Sequence, residues 1–77
     1  MSSICLRQMR KNQVGIVKTI NVGGELGRRL REMGLIPGTR ITIFGRAPLH
    51  DPVAIRIQDN TITLRNSEAD HILVDTD

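Results

Sequence analysis

The sequence predicts a mainly β domain with short helices, in which about five strands curl into a small barrel and one helix follows the first strand. Short apolar runs alternate with polar residues at the two-residue period of a strand, and a single stretch changes to the period of a helix. The chain of 77 residues offers only one small core. So few elements cannot cover both faces of a flat sheet, and an SH3-like barrel is therefore the economical arrangement.

The first strand and the helix are predicted from a change of period between them. QVGIVKTINV, residues 13–22, is rich in β-branched residues, with Val14 and Ile16 on one face and Val17 on the other. A Gly-Gly pair ends this strand, and ELGRRLREMG follows. Here a helical stripe is formed by Leu26, Leu30 and Met33. Gly34 stands where a helix C-terminus favours glycine.

The remaining strands are predicted in TRITIFGR, VAIRIQ, TITLR and HILV. Their alternation predicts inward side chains, namely Ile41, Ile43, Val53, Ile55, Ile57, Ile62 and Leu64. Pro37-Gly38 favours a type II turn before the first of these strands. Asp59-Asn60 is a candidate hairpin turn, and Ser67 with Asp70 imitates a capping box for one helical turn.

The domain organisation is predicted to be simple. Residues 1–77 form a single domain whose core spans 13–75, and residues 1–12 form a partly ordered N-terminal segment that holds the only cysteine, Cys5. One cysteine excludes an intrachain disulfide and a thiolate-rich metal site. The start lacks the long apolar stretch of a signal peptide, and no run reaches the length of a membrane span. We therefore expect a cytoplasmic protein without direct membrane insertion.

The composition excludes several classes of function. Phe44 is the only aromatic residue, so the aromatic platforms that bind single-stranded nucleic acid or polyproline peptides cannot form. A net charge of +3, from scattered basic residues, suits an acidic protein surface and falls short of a nucleic-acid footprint. No nucleophile, base and orienting group have a recognisable spacing. Enzymatic activity and nucleic-acid binding are not expected.

Two arginines of the predicted helix are candidate partner contacts. In RRLR, residues 28–31, Arg28 and Arg31 point away from the apolar stripe. Glu25 and Glu32 partly neutralise this face, so a solvated helix surface is the plain alternative.

The loop RAPLHDP, residues 46–52, is the most unusual stretch of the chain. Pro48 and Pro52 restrict the backbone around an apolar Leu49. A pre-ordered segment loses less entropy on binding, which favours a recognition surface with Leu49 as its anchor. The alternative is that Leu49 folds back and plugs the barrel. The candidate partner-binding residues of this loop are Arg46, Ala47, Pro48, Leu49 and His50.

The same loop contains weak candidates for a metal ligand. His50 and Asp51 carry an imidazole and a carboxylate, which suit ferrous iron or zinc. Neighbouring residues of an extended chain point to opposite sides, which is poor geometry for chelation. Asp51 is expected instead to cap the turn before Pro52 by accepting a hydrogen bond from a backbone amide. No resident cofactor is therefore predicted, and weak binding of ferrous iron or another divalent metal is left as the alternative.

A family resemblance rests on three motifs that occur in order between residues 13 and 75. The first contains Leu30, Gly34, Leu35, Pro37 and Gly38. The second contains Ala47, Pro48, Leu49, Asp51 and Pro52. The third contains Leu64, Arg65, Ala69, Ile72 and Val74. Together they resemble the FeoA family, the small cytosolic component of bacterial ferrous iron transport. His50 departs from this pattern, because the family usually has glycine there.

The resemblance implies an SH3-like barrel and an accessory role beside the large membrane transporter of ferrous iron, which carries a cytosolic GTP-binding domain. The leading hypothesis is a non-enzymatic module that binds and modulates this transporter. The alternative is a metal-responsive regulatory domain, because iron-dependent repressors carry a similar barrel at their C-terminus. No DNA-reading helices precede the barrel, which argues against a complete repressor. A homo-oligomer is compatible with the sequence.

Overall fold

A computed structural model describes residues 2–46, 51–58 and 60–76, apart from the side chain of Arg46. Its strands are β1 (Ser2–Cys5), β2 (Val14–Ile20), β3 (Arg40–Arg46), β4 (Val53–Ile57), β5 (Asn60–Leu64) and β6 (Ile72–Thr76). Its α-helices are α1 (Gly24–Glu32) and α2 (Asn66–Ala69), and a short 3-10 helix spans Leu6–Gln8. Among the described residues, no helix has the length and apolar character needed to cross a membrane.

The strands form one antiparallel sheet in the order β1-β6-β2-β3-β4-β5. The sheet curls around a single core to which every strand from β2 to β6 contributes a buried side chain. The predicted mainly β class is confirmed. The sheet has six strands and not the predicted five, because residues 2–5 form an additional strand, β1.

The core matches the inward residues predicted from alternation. At most 6% of each of these six side chains is exposed: Ile41, Ile43, Val53, Ile55, Ile57 and Leu64. Ile62 is only partly buried and packs against the edge of this core. Leu30 of α1 is fully buried, and Leu26 and Met33 pack beside it. The helical stripe therefore packs against the barrel as the periodicity predicts.

The N-terminal segment differs from the prediction, since it belongs to the core. β1 pairs with β6, with Ser2 opposite Thr76. Leu6 and Met9 are buried to the same degree as the central strand residues. Arg7 adds an ion pair with Asp70, at 3.0 Å. The core thus begins well before residue 13, because two large apolar side chains fill space that the later strands leave open.

One predicted turn is found at its predicted position, and another is displaced by one residue. Gly38 has a φ of +95°, and the amide of Thr39 donates to the carbonyl of Ile36 at 3.1 Å, as in a type II turn. Between β4 and β5, Ile57 pairs directly with Asn60, so Asn60 belongs to β5 and not to the turn. The predicted Asp59-Asn60 turn is therefore displaced by one residue, and Asp59 itself lies outside the described residues.

The capping box predicted for the last helical turn is formed by Glu68 and not by Asp70. Helix α2 begins after Arg65, whose amide donates to Glu68 Oε1 at 2.9 Å. Glu68 therefore occupies the position that the Ser67–Asp70 pattern assigned to Asp70. The carboxylate of Asp70 accepts hydrogen bonds from Arg7 instead.

Candidate functional site

The predicted recognition loop connects β3 to β4, and only its downstream end can be described. Residues 47–50, which include Leu49 and His50, lie outside the described residues, as does the side chain of Arg46. Asp51 and Pro52 are exposed and are joined by a cis peptide bond. The assignment of the loop as a partner contact therefore stays a prediction.

Asp51 fixes this end of the loop to helix α2. Its Oδ1 accepts a hydrogen bond from the backbone amide of Asn66 at 2.9 Å. This amide is the first of the helix, where an orphan donor needs an acceptor. Asp51 thus accepts from a backbone amide as expected, but from one fifteen residues away and not from its own turn. A metal ion at Asp51 would compete with this hydrogen bond for the carboxylate.

Glu68 joins the two helices beside the same loop end. One carboxylate oxygen accepts the amide of Arg65, and the other pairs with the guanidinium of Arg29 in α1. The Glu68 side chain is only 13% exposed. A shallow groove in this region is lined by Arg29, Pro52 and Glu68. The described end of the loop therefore lies close to helix α1.

The two arginines proposed from the sequence lie on the exposed surface of α1. Arg28 contacts Glu25 at 3.9 Å, with side chains that are 71% and 92% exposed. Such an exposed ion pair is weak, so Arg28 remains available to a partner. Arg31 is also exposed. Helix α1 borders the groove at Pro52 through Arg29, so the loop end and this helix lie on one side of the molecule.

Potential metal ligands are not clustered in the described part of the chain. No cluster of three or more histidine, cysteine or acidic residues is present within 2–46, 51–58 and 60–76. His71 is half-buried in the turn before β6. Cys5 is the last residue of β1, and its thiol is directed to the carbonyl oxygen of Asp70 at 3.4 Å.

A second candidate surface was missed by sequence reasoning. On the outer face of the sheet, Val14 and Ile16 of β2 and Phe44 of β3 are exposed apolar side chains. Val14 pairs with Thr42, and Ile16 pairs with Arg40. The signal in the sequence is that both alternating faces of β2 are apolar, so that one apolar face must lie outside the core.

The chain is similar to known proteins both in sequence and in structure. A family model described as the FeoA domain matches residues 4–76. A 70-residue segment is 33% identical to an Fe(2+) transport protein A/Fe(2+) transporter FeoB fusion protein of Porphyromonas gingivalis. The alignment covers 91% of this chain and 8% of the relative, so the chain spans a small part of that protein's length.

Solved structures share the fold. The structure of an FeoA-like protein from Clostridium acetobutylicum has a TM-score of 0.89 and 34% identity, over 99% of this chain and 88% of the other. The zinc complex of Stenotrophomonas maltophilia FeoA, described as a prokaryotic SH3 domain protein, has a TM-score of 0.82 and 24% identity, over 94% and 89%. A manganese-dependent transcriptional repressor has a TM-score of 0.86 and 20% identity, over 96% of this chain and 41% of the repressor. The SH3-like fold that was predicted is confirmed.

Proposed function

Since this chain belongs to the FeoA family, we propose that it is a non-enzymatic accessory protein of bacterial ferrous iron uptake that binds and modulates the membrane ferrous iron transporter. The proposal places it in the cytoplasm, where the GTP-binding domain implied for this transporter would be accessible. It binds no nucleic acid and does not insert into the membrane.

The observation that carries the proposal is the fusion relative. In the Porphyromonas gingivalis protein, a segment similar to 91% of this chain is joined to a transporter named FeoB. Covalent linkage keeps two modules at a high effective concentration, which is useful when they act on each other. A separate chain of the same family would have to recognise the transporter through its own surface.

The proposed contact is the loop between β3 and β4 together with α1. Leu49 is the apolar anchor, while Arg46, Arg28 and Arg31 meet an acidic patch. Support comes from the hydrogen bond of Asp51 to α2, which holds the downstream end of the loop beside α1. A loop fixed at its end loses less entropy when it binds.

The test measures binding of the purified chain to the transporter of the same organism, reconstituted in nanodiscs of neutral lipid. Saturable binding and a changed GTP hydrolysis rate of the transporter are expected. Absence of binding would refute the accessory role. GTP turnover by the chain alone, abolished by a single substitution, would refute the non-enzymatic assignment.

The variant Leu49→Asp distinguishes two roles of Leu49, an exposed anchor for the partner and a plug that fills the barrel. An anchor loses transporter binding while the melting temperature stays within about a few degrees, because its site is exposed. A plug loses stability by roughly 2–5 kcal/mol, as for a large core truncation, and more because a charge is buried. Unchanged binding by a folded Leu49→Asp protein would remove the loop from the interface.

A metal-responsive regulatory domain is the second candidate, favoured by the fold shared with the manganese-dependent repressor. At 20% identity this likeness concerns the fold alone. Equilibrium dialysis against ferrous iron and manganese distinguishes the two proposals. Binding of a metal ion that His50→Ala abolishes would support the regulatory domain, and transporter binding that is unchanged by a chelator would support the accessory protein.

A further inference from the structure

Three exposed apolar side chains lie on the outer face of two neighbouring strands, β2 and β3. Val14 and Ile16 are 39% and 40% exposed, and Phe44 is 56% exposed. Val14 lies opposite Thr42, and Phe44 follows two residues later on the same face of β3. Phe44 is thereby a diagonal neighbour of Val14, within the reach of an aromatic ring. We call Val14, Ile16 and Phe44 the sheet-face patch.

Phe44 faces outward by alternation with the buried Ile43, and it coincides with an irregularity in the sheet. Ile43 pairs with Ile55, but the next pair joins Gly45 to Ala54, so Phe44 has no residue opposite it in β4. Such a β-bulge redirects a side chain and is common beside functional sites. Phe44 is also the only aromatic residue of the chain. The single aromatic side chain of the protein is thus exposed to solvent.

Cations border this patch on the β3 and β4 side. Arg40 lies opposite Ile16, and Arg56 lies opposite Thr42. Both arginines are exposed, and neither forms an ion pair with another described residue. Asp75 of β6 pairs with Ile16 on the other side of β2. Its Oδ1 accepts a hydrogen bond from the hydroxyl of Ser3 in β1. The exposed charge beside the patch is therefore mainly positive.

We propose that the sheet-face patch, with Arg40 and Arg56, is a docking surface for a segment of the transporter's cytosolic portion that carries apolar side chains beside carboxylates. This inference rests on the proposed function and names a surface separate from the loop. Apolar side chains cover Phe44 and its neighbours, since buried aromatic residues dominate the affinity of protein interfaces. Carboxylates pair with the two arginines, which fixes register and accelerates association.

The charges also argue against two other occupants. A second copy that docked through the same face would bring the excess positive charge of both copies into one interface, and like charges repel. An anionic membrane would gain little from two arginines, because stable attachment to a lipid surface requires larger basic clusters. An acidic protein segment satisfies both the apolar and the charged parts of the surface.

Phe44→Thr tests the apolar part by biolayer interferometry against the transporter in neutral nanodiscs. We expect binding at least about tenfold weaker, as for loss of an aromatic interface residue. Ile36→Thr is the matched control, because Ile36 is 49% exposed but lies in the turn before β3. The control should bind within about twofold of wild type, and both variants should retain its melting temperature within a few degrees.

Arg40→Glu tests the charged part. We expect binding about tenfold weaker at low salt and a smaller loss of affinity as salt is raised, because an attractive pair has become repulsive. Arg10→Glu changes the net charge equally at an exposed residue in the segment before β2, and it should bind within about twofold of wild type.

The outcomes separate the surface from the function. If wild type binds the nanodiscs and the Phe44→Thr and Arg40→Glu proteins bind equally well, the docking surface is refuted and the accessory role stands. If wild type does not bind at all, the accessory role fails and this surface fails with it. Vesicles of phosphatidylcholine with phosphatidylglycerol provide the last arm. Binding to these vesicles that Phe44→Thr abolishes would overturn the proposal in favour of a membrane surface.

Discussion

Gly27 is the point at which helix α1 closely approaches the backbone of the connection between β2 and the helix. A Cβ atom at this position would lie 2.3 Å from the carbonyl oxygen of Val22, which is far inside van der Waals contact. In an open helix, alanine would be favoured over glycine by up to about 1 kcal/mol. Here the contact with a backbone atom determines the residue, because a backbone carbonyl cannot rotate away as a flexible side chain can.

We predict that Gly27→Ala lowers the free energy of unfolding by roughly 1–3 kcal/mol, because α1 must shift to relieve the contact. The melting temperature should fall by about 4–8 °C for each kcal/mol. Gly45→Ala is the control, since nothing lies within 4 Å of its Cβ position. A Gly27→Ala protein as stable as wild type would show that α1 can move at no cost.

Glu68 combines a helix cap with an ion pair, and two substitutions separate these roles. Glu68→Gln keeps an oxygen for the amide of Arg65 and removes the charge beside Arg29. Glu68→Ala removes both interactions. Because the Arg29 side chain is 61% exposed, the ion pair contributes little, and the cap contributes about 1 kcal/mol. Urea unfolding should rank wild type and Glu68→Gln close together with Glu68→Ala below them. Equal losses for both variants would mean that the charge matters more than the cap.

The candidate surfaces show what residue patterns can and cannot predict. Alternation separates Val14 and Ile16 from Val17, but both faces of β2 are apolar, so the pattern does not decide which face is buried. The structure buries Val17 and exposes the other two. A bulge between Val17 and Thr19 then changes the phase within the strand. Such a change depends on the partner strand, and a local sequence pattern does not contain it.

Strand β1 and the 3-10 helix after it were not predicted from the sequence. SSIC is short and mostly polar, so its alternation is too brief to indicate a strand. Its pairing is to β6, at the other end of the chain. Leu6 and Met9 looked like isolated apolar residues, whereas the later strands each showed several in register. Elements with a long periodic pattern, such as α1 and β4, were predicted well because their burial follows from local spacing alone.

We predict that Leu6→Ala destabilises the protein by about 2–4 kcal/mol, since a fully buried side chain leaves a cavity. A domain of this size has a total stability of about 4–12 kcal/mol, so much of the chain should be unfolded at moderate temperature. Thermal melts by circular dichroism measure the effect, with the exposed Gln8→Ala as control. A melting temperature unchanged by Leu6→Ala would contradict the place of Leu6 in the core and favour the predicted core of 13–75.

The molecule as a whole brings its ends together, because β1 and β6 are neighbours in the sheet. Ser2 lies opposite Thr76, and the Cα atoms of such a pair are about 5 Å apart. The fold class and the family were predictable from the complete set of elements, since the order of motifs agrees with one small barrel. The proximity of the ends was not predictable, because it depends on β1.

We predict that a circular permutant folds when a short glycine-serine linker joins residue 76 to residue 2 and new ends are opened at the turn between β4 and β5. Exposed turns tolerate such opening, and adjacent ends need little linker. The permutant should show a cooperative melt within about ten degrees of wild type, since loss of one turn connection costs on the order of 1 kcal/mol. An unfolded permutant would mean that the connection between β4 and β5 is required to nucleate the sheet.

The position of β6 also determines when this protein can fold as the ribosome makes it. β2 to β5 follow one another along the chain, and β3, β4 and β5 can pair as soon as they emerge. β1 is made first, yet its partner in the sheet is β6, which is made after all the other strands. Until then the nascent chain exposes Leu6, Met9 and the open edge of β2 to solvent, and pairings between distant segments form slowly. Among the strands, β1 therefore stays unpaired for the longest time during synthesis. We expect chaperones to bind this exposed segment first.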